Sequence, residues 1–527
     1  MTNILNIDKN ILGVSMNRVI YILGLTIMLL LTGVSISNIS IGKTINDTIY
    51  VDGDGGADFT HIQNAIDAAN PGDTVYVYAG NYQENIVVDK SLMLTGEDKE
   101  TTIIDGGGVE DVIYISAESV DISEFTLQNS GIDTDPNDIL NSDAGIDIQA
   151  NNVEISNNII KNNYIGLSTR GSSAKESLNV HNNIFVGNSE GKKDNSAIKF
   201  YACYLMYTDN SYISYNEFTE NDFNIKCSHS EYVDISNNVF YDGIDEYSYA
   251  LLIKDCHFFN INNNEIFSIY GGIIFGEMGS YESNNQVVNN RIYNTEVALN
   301  LLYCSKNFII GNLFYSNNYG TNLDKSGDNT FYHNDYVNNV INAEEDMANI
   351  WYSESLEEGN FWDDYLGSDS NGDGIGDSPY HIPGEGESMD LFPLMMPVNN
   401  IAPSNPNVYG PSSGRVGEEQ VYSICSNDLN DDKIFYYIDW GDGNFEDWIG
   451  PFGSGEEQSI DHTWDEVGSY NIRVRAKDEG GLISDWTELV VSMPKSKGLV
   501  RMAFFQLIIQ HNQYLYRLIL QFLSNFF

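Results

Sequence analysis

Val-Glu-Ile-Ser-Asn-Asn-Ile-Ile at residues 153–160 and Val-Asp-Ile-Ser-Asn-Asn-Val-Phe at residues 233–240 are two copies of one short phrase. The phrase alternates apolar and polar residues, passes through an Asn-Asn pair and ends on an apolar side chain. A repeat of 20 to 30 residues with this alternation is typical of a solenoid built from short strands. The second position of the pair is Asn in eight copies, and the first position is Asn in five of them. The eight markers are Asn158, Asn183, Asn216, Asn238, Asn264, Asn290, Asn312 and Asn334.

The repeat predicts an all-β protein whose main part is a parallel β-helix. Successive coils stack about 4.8 Å apart, so equivalent side chains form columns. The Asn fits a turn residue whose side chain bonds to its neighbours above and below. We predict one inward column from Ile155, Val180, Ile213, Ile235, Ile261, Val288, Ile310 and Tyr332. A second column is predicted from Ile160, Phe185, Phe218, Phe240, Ile266, Ile292, Phe314 and Tyr336.

The charge of the chain restricts its partners. Its 527 residues carry 25 Lys plus Arg against 76 Asp plus Glu, a net charge of −51. Such acidity argues against nucleic acid and against polyanionic polysaccharides as ligands. It favours solubility in salt, or the binding of divalent cations.

The two ends of the chain suggest export and contact with a membrane. Residues 19–34 are almost wholly apolar and follow Arg18, so residues 1–41 predict a secretory signal peptide or a signal anchor. The location expected from this is extracellular or at the cell surface. Residues 494–527 form an apolar tail that is either a membrane-associated amphipathic helix or a non-functional extension.

The start of the solenoid carries a family resemblance. The run Ala-Asp-Phe-Thr-His-Ile-Gln-Asn-Ala-Ile-Asp-Ala-Ala-Asn-Pro-Gly-Asp-Thr-Val-Tyr-Val at residues 57–77 precedes Gly-Asn-Tyr-Gln-Glu-Asn at 80–85. It resembles the beginning of pectin-lyase-type right-handed β-helices, and most of all archaeal NosD-like surface proteins. The resemblance extends over about residues 49–397 and implies that a helix within residues 59–69 caps the open end of the core.

A second domain is predicted after a Pro-containing linker at residues 398–411. Residues 412–493 contain five strand-like runs, as an immunoglobulin-like β-sandwich requires. Tyr-Tyr-Ile-Asp-Trp-Gly-Asp-Gly at residues 436–443 and His-Thr-Trp at 462–464 resemble a PKD domain. That resemblance implies extracellular spacing or adhesion, with His462 bonded near the Trp-Gly-Asp-Gly turn.

A calcium site is the first metal hypothesis. The loop at residues 369–377 has the spacing of an EF-hand-like loop, with oxygen ligands from Asp369, Asn371, Asp373, the Ile375 carbonyl and Asp377. Tyr380 stands where the bidentate Glu is expected. The alternative is a Gly/Asp-rich turn that ends the stack without an ion.

A soft-metal site is the second metal hypothesis. Cys227 and His229 in one coil and Cys256 and His257 in the next could hold copper or zinc. The NosD resemblance directs attention to copper, because NosD proteins assist copper loading of nitrous oxide reductase. The offsets differ between the two coils, so we favour inward-facing thiols and do not expect copper.

These observations favour a binding or adhesion protein, with a polysaccharide, a cell-envelope glycan or another surface protein as partner. No Gly-His-Gly occurs, basic residues in the coils are few, and no catalytic residue can be assigned. The alternatives are a polysaccharide lyase or glycoside hydrolase and, second, a copper-handling accessory protein. Fold alone does not decide between them. Activity is expected where the repeat is interrupted, at the 33-residue interval before Asn216 and at the loop 369–377.

Overall fold

The computed structural model describes residues 46–131, 142–171, 173–188, 201–243 and 248–494, together with Arg517 and Gln521; for residues 277–282 it describes the backbone only. The predicted targeting segment 1–41 and nearly all of the predicted tail 494–527 lie outside the described residues. Within the described part, no helix combines the length and the apolar character needed to cross a bilayer.

The solenoid is a parallel β-helix, as predicted, and successive coils contribute strands to three parallel sheets. The first sheet contains Thr48–Val51, Thr74–Val77, Leu92–Gly96, Val120–Ser123, Val153–Ser156, Asn179–His181, Tyr212–Ser214, Asp234–Ser236, Asn260–Asn262, Gln286–Val288, Phe308–Ile310 and Thr330–Tyr332. The second sheet contains Gly80–Tyr82, Thr102–Asp105, Thr126–Gln128, Ile159–Lys161, Ile184–Val186, Glu217–Thr219, Val239–Tyr241, Glu265–Phe267, Arg291–Tyr293, Leu313–Tyr315, Asp335–Val337 and Phe361–Trp362. The third sheet contains Ile86–Val88, Ile113–Ile115, Ala144–Ile148, Ile165–Ser168, Tyr201–Met206, Phe223–Ser228, Tyr249–Lys254, Gly271–Glu282, Val297–Ser305, Tyr319–Asp324 and Ile341–Glu345.

Two small sheets complete the solenoid. Lys175–Glu176 pairs in parallel with Thr208–Asp209, and each of these two strands follows a strand of the third sheet in the sequence. Tyr380–His381 pairs antiparallel with Met389–Asp390, after the last coil.

The second predicted column is confirmed, because all eight of its side chains are buried in one continuous core. The first column is confirmed from Ile155 to Ile261 and is wrong beyond it. There the structure buries Val287, Ile309 and Phe331, each three residues before its marker Asn and paired in register with the preceding coil. Val288, Ile310 and Tyr332 stand one position later. A shift of one residue turns a strand side chain to the opposite face of the sheet.

The two residues of the Asn-Asn pair have different roles in the turn. The first adopts left-handed backbone angles, with φ of 54° to 57° at Asn157, Asn182, Asn237, Asn263 and Asn289. Asn tolerates this region better than most residues. The second Asn, the marker, is buried and bonds to the next coil.

The marker residues form a continuous ladder, here called the Asn ladder. From Asn158 onward, each donates through its backbone N and its Nδ2 to Oδ1 of the next, with backbone N···Oδ1 distances of 2.9–3.1 Å. The ladder continues to Asn360, a ninth member that the sequence pattern did not reveal. It ends where Asn360 N donates to Asp390 Oδ2 at 2.7 Å.

A helix covers the N-terminal end of the core, as the resemblance implied. It spans Ile62–Ala68, within the predicted interval, and buries Ile62, Ala65 and Ile66. Glu84 from the following coil accepts hydrogen bonds from Ile62 N and Gln63 N, both at 3.0 Å. A carboxylate at this position satisfies the free N–H groups of the helix start.

The C-terminal domain is a β-sandwich, as predicted. One sheet contains Asn407–Tyr409, Gln420–Cys425 and Gln458–His462, and the other contains Phe445–Phe452, Ile434–Asp439, Gly468–Lys477 and Thr487–Met493. The strands Asn407–Tyr409 and Phe445–Phe452 were not predicted, and the first of them lies inside the expected linker. His462 Nε2 lies 2.8 Å from Asp442 Oδ2, which confirms the expected contact with the turn.

The first part of the linker packs on the solenoid, which the sequence did not indicate. Asp335 accepts hydrogen bonds from Val398 N at 2.9 Å and Asn399 N at 2.7 Å. Ile401 is buried against a cluster formed by Leu313, Val337 and Phe361. The attachment of the sandwich is therefore a packed contact and not a free tether.

Candidate functional site

A polar cavity of about 370 Å³ lies on the outer side of the third sheet, near the N-terminal third of the solenoid. Asp111 precedes the strand Ile113–Ile115, and Asp147 lies within the strand Ala144–Ile148. Arg170 follows the strand Ile165–Ser168. Tyr114, Ser142, Asp143, Gln149 and Gly171 complete the lining.

Hydrogen bonds fix the side chains of this cavity. Asp111 Oδ1 accepts from Ala144 N at 2.6 Å, and both Asp147 oxygens accept from Gln149 Nε2, at 3.0 and 3.1 Å. The Arg170 carbonyl accepts from Gln149 Nε2 at 2.6 Å and from Lys175 Nζ at 3.1 Å. The Arg170 guanidinium donates to Ser168 Oγ and to the Ser142 carbonyl. The carboxylates and cations are thus held in place before any ligand binds, which reduces the entropy lost on binding.

Burial shifts the pKa values of the two carboxyls. It raises the pKa of Asp111 to about 7, and the nearby charge of Asp147 adds to this effect. Burial also raises the pKa of Asp147, although Arg170 and the Gln149 amide oppose the shift. The pKa of Lys175 is lowered by burial. A carboxyl that titrates near neutral pH can serve as a proton donor or as a hydrogen-bond donor to a ligand.

The register of the third sheet continues a row of polar side chains from the cavity along the solenoid, although Ser168 and Tyr204 within this row are buried. Tyr114, Asp147, Ser168, Tyr204 and Lys226 occupy equivalent positions in five successive coils. Lys226 Nζ lies 4.5 Å from the ring centre of Tyr204. We call this row, together with the cavity, the polar column. It contains hydroxyls, a carboxylate and a cation at the spacing of the coils, about 4.8 Å.

Part of the polar column lies in a region where we expected activity from the sequence, the 33-residue interval before Asn216. Tyr204 belongs to the Tyr-rich stretch in the 33-residue interval before Asn216. Asp111, Asp147 and Arg170 were missed, because a single Asp in an apolar strand has no sequence signal that separates it from an outward turn residue. Lys226 pairs with Leu252, whereas Lys254 pairs with Ser228, so these two lysines do not align.

The structure does not bring the proposed soft-metal ligands together. Cys227 and Cys256 are buried in the core, and burial raises the pKa of the Cys227 thiol well above its usual value. His229 is half exposed, 3.8 Å from Asp255 Oδ2, and His257 Nδ1 is buried without a hydrogen-bond partner. The described residues contain no group of three or more His, Cys, Asp or Glu side chains suited to one metal ion.

The thiols instead contribute to the core. The five cysteines are thiols, and none belongs to a disulfide. Four of them lie among the buried side chains of the solenoid, in agreement with the interpretation as small inward-facing residues: Cys203, Cys227, Cys256 and Cys304.

The Asp/Gly-rich loop is organised by its own hydrogen bonds. Asp369 accepts from the backbone N of Gly372 at 2.7 Å and of Gly374 at 2.9 Å. Asn371 Nδ2 donates to Asp373 Oδ2 at 2.8 Å, and Asp377 accepts from Ser368 and Ser370. These bonds, with the positive φ of Gly372 and Gly374, account for the turn without an ion. To bind an ion, the loop would have to bring the oxygen ligands of Asp369, Asn371, Asp373, Ile375 and Asp377 closer together.

The fold and these sites define a class, an all-β protein with a parallel β-helix and a C-terminal β-sandwich. Residues 193–367 match the family described as "Periplasmic copper-binding protein (NosD)". The chain therefore combines a parallel β-helix, part of which is similar to NosD proteins, with a C-terminal β-sandwich. No curated protein matched the chain.

Three solved structures are similar to parts of the chain. The PKD domain of an M14-like peptidase from a Thermoplasmatales archaeon is 48% identical, covers 18% of this chain and 100% of its own, and has a TM-score of 0.18. The alginate lyase from a Paenibacillus species is 14% identical over 51% of this chain and 95% of its own, with a TM-score of 0.39. The DFA-IIIase from Arthrobacter chlorophenolicus A6 without its lid is 14% identical over 58% and 92%, with a TM-score of 0.41.

Proposed function

We propose that this protein acts outside the cytoplasm as a carbohydrate-binding or adhesion module and that the polar column holds the sugar. The observation that carries the proposal is the alignment of Tyr114, Asp147, Ser168, Tyr204 and Lys226 on successive coils beside the cavity. The periplasmic family description and the predicted targeting segment 1–41 support the location.

The chemistry of the column suits a sugar chain. Sugar hydroxyls both donate and accept hydrogen bonds, so a site for them needs carboxylates, hydroxyls and cations together, with apolar surface for the ring faces. Asp147 and Arg170 provide charged partners within one cavity. Tyr114 and Lys226, the half-buried members at the two ends of the row, offer further contacts along the same line. An extended polysaccharide or a cell-envelope glycan is therefore the favoured ligand.

The proposal is tested with the purified exported chain on a glycan array, followed by calorimetry with the best ligand. Asp147→Asn and Lys226→Gln should each weaken binding by roughly tenfold, because each removes a charge-assisted hydrogen bond. Glu154→Gln is the matched control, since Glu154 belongs to the first sheet and contacts His181 instead. The proposal fails if no glycan binds, or if the control weakens binding as much as the column variants.

Cleavage of the glycan is the second candidate function, favoured by the Asp111 carboxyl. A group whose pKa is about 7 beside a second carboxyl is the arrangement used for general acid–base chemistry at neutral pH. Reducing-sugar and unsaturated-product assays on the bound glycan distinguish cleavage from binding. Products that form with the native chain and vanish with Asp111→Asn would establish an enzyme; their absence would leave a binding protein.

We also propose that the loop 369–377 binds Ca²⁺ through Asp369, Asn371, Asp373, the Ile375 carbonyl and Asp377. Oxygen-rich loops of this spacing suit a hard cation. Calorimetry should detect calcium binding, and a chelator should lower Tm. Asp373→Asn should abolish both effects, while Asp324→Asn, an exposed carboxylate on another coil, should change neither. A melting curve insensitive to the chelator, with no calorimetric signal, would leave the loop as a metal-free turn.

A further inference from the structure

The outer face of the sandwich's four-stranded sheet carries three cations in a row. Arg473, Arg475 and Lys477 alternate along the strand Gly468–Lys477. The residues between them, Ile472, Val474 and Ala476, are buried in the sandwich core. Because strand side chains alternate between faces, the three cations share the outward face.

Aromatic rings hold these cations. Arg475 lies over the rings of Tyr437, Trp448 and Trp486, with distances of 5.4, 5.3 and 4.5 Å to the ring centres. Lys477 Nζ lies 4.1 Å from the centre of Trp448, and Arg473 lies 5.1 Å from that of Trp486. Cation–π contacts restrict the long side chains, so less conformational entropy is lost when they bind a ligand.

Most of the positive charge on this face has no carboxylate partner. Arg473 forms an ion pair with Asp439. Within the part of the chain that the structure describes, Arg475 and Lys477 have no carboxylate at ion-pair distance. The chain has a net charge of −51 and many acidic residues, yet these two cations form no ion pair with them. They are therefore available to an external anion.

We infer that this face, here called the cationic face, binds an acidic glycan whose sugars carry carboxylates. The cations pair with the carboxylates, and the rings at the edge of the face offer apolar surface to the sugars; Phe445, which stacks on Tyr437, is 58% exposed. Physiological salt screens charges beyond about 8 Å, so the carboxylates beside the face, Asp439 and Glu488, oppose an acidic ligand more than the net charge of the whole chain does. The inference concerns a second site and does not rest on the polar column.

Calorimetry of the full chain with a galacturonate hexamer tests the inference, with a neutral glucose hexamer and a single-stranded DNA hexamer as comparison ligands. The galacturonate hexamer alone should bind, and its affinity should fall as NaCl increases. Arg475→Gln and Lys477→Gln should each weaken binding by about tenfold. Arg415→Gln is the matched control, because Arg415 is an exposed cation of the same domain that pairs with Glu418.

The outcomes separate this site from the polar column. Asp147→Asn should leave binding to the galacturonate hexamer unchanged. Equal binding of the neutral hexamer, preference for DNA, or salt-dependent dimerisation of the chain without sugar binding would each overturn the inference. A Tm measurement on every variant excludes misfolding, and Lys477→Gln at the edge of the face provides a second test if Arg475→Gln unfolds.

Discussion

Replacing Asn264 by alanine should lower the free energy of unfolding by about 3–5 kcal/mol. Asn264 Oδ1 accepts from Asn238 N at 2.9 Å and Asn238 Nδ2 at 3.0 Å, and its Nδ2 donates to the Ile235 carbonyl at 2.8 Å. Alanine removes the acceptor of the buried Asn238 N and the side-chain donor to the Ile235 carbonyl, while Asn238 Nδ2 keeps its bonds to the Ile213 and Ser236 carbonyls. Each buried group left unsatisfied costs about 1–3 kcal/mol. The loss is measured by chemical denaturation of the full chain.

The neighbouring residue provides the control. Asn263 has φ of 54° and does not belong to the Asn ladder. Asn263→Gly should be nearly neutral, because glycine adopts this conformation without strain. Similar losses from the two variants would contradict the division of roles within the Asn-Asn pair. A Leu replacement of Asn264 should be no better than alanine, since it also removes the ladder bonds.

Lowering the pH from 8 to 5 should raise the Tm of the solenoid. Burial raises the pKa of Asp335 and of Asp390 to about 6, against a usual value of 3.8, even though N–H donors oppose the shift. A carboxyl whose pKa is raised on folding disfavours the folded state when ionised. Its cost is full above pH 6 and disappears as the pH falls toward 3.8. For each residue the shift corresponds to about 3 kcal/mol.

The same sign holds for Asp111, whose pKa is raised to about 7. Below pH 4 the trend should reverse. Arg473 and backbone N–H groups lower the pKa of Asp439, and His462 and backbone N–H groups lower that of Asp442. Protonation of these two carboxylates removes the contacts and destabilises the folded state. Thermal melts between pH 3 and 8 measure the profile. Asp390→Asn should flatten part of it, whatever its effect on stability at a single pH. A Tm that rises steadily from pH 5 to 8 would show that these carboxyls are not raised.

Sequence periodicity predicted the scaffold well, for a physical reason. Each coil repeats the same alternation, so the neighbouring coils indicate which positions face inward when one coil alone is ambiguous. The second column, Ile160 to Tyr336, was correct throughout for this reason. The first column failed at Val288 because apolar residues occupy two adjacent positions there, as Val287-Val288, and alternation cannot choose between them.

The candidate sites were predicted poorly, and particular residues show why. Asp111 and Asp147 lie 36 positions apart in sequence, and only the stacking of coils brings them to one cavity. Cys227 and His229 are two positions apart, yet one faces the core and the other is half exposed. The cations Arg473, Arg475 and Lys477 could be recognised as one face from the strand pattern, but the rings that hold them come from other strands.

The sequence by itself determined the repeat, the Asn-Asn turn, the helix at the open end of the core and the presence of a second β domain. These features depend on the local spacing of residues, which can be read directly from the sequence. The tertiary structure alone decided which residues meet across coils: the end of the Asn ladder at Asp390, the packing of Ile401 on the solenoid and the row from Tyr114 to Lys226. Coil lengths vary from 22 to 33 residues between markers, so the register of one coil on the next fixes these meetings, and register is set by packing and hydrogen bonds between coils.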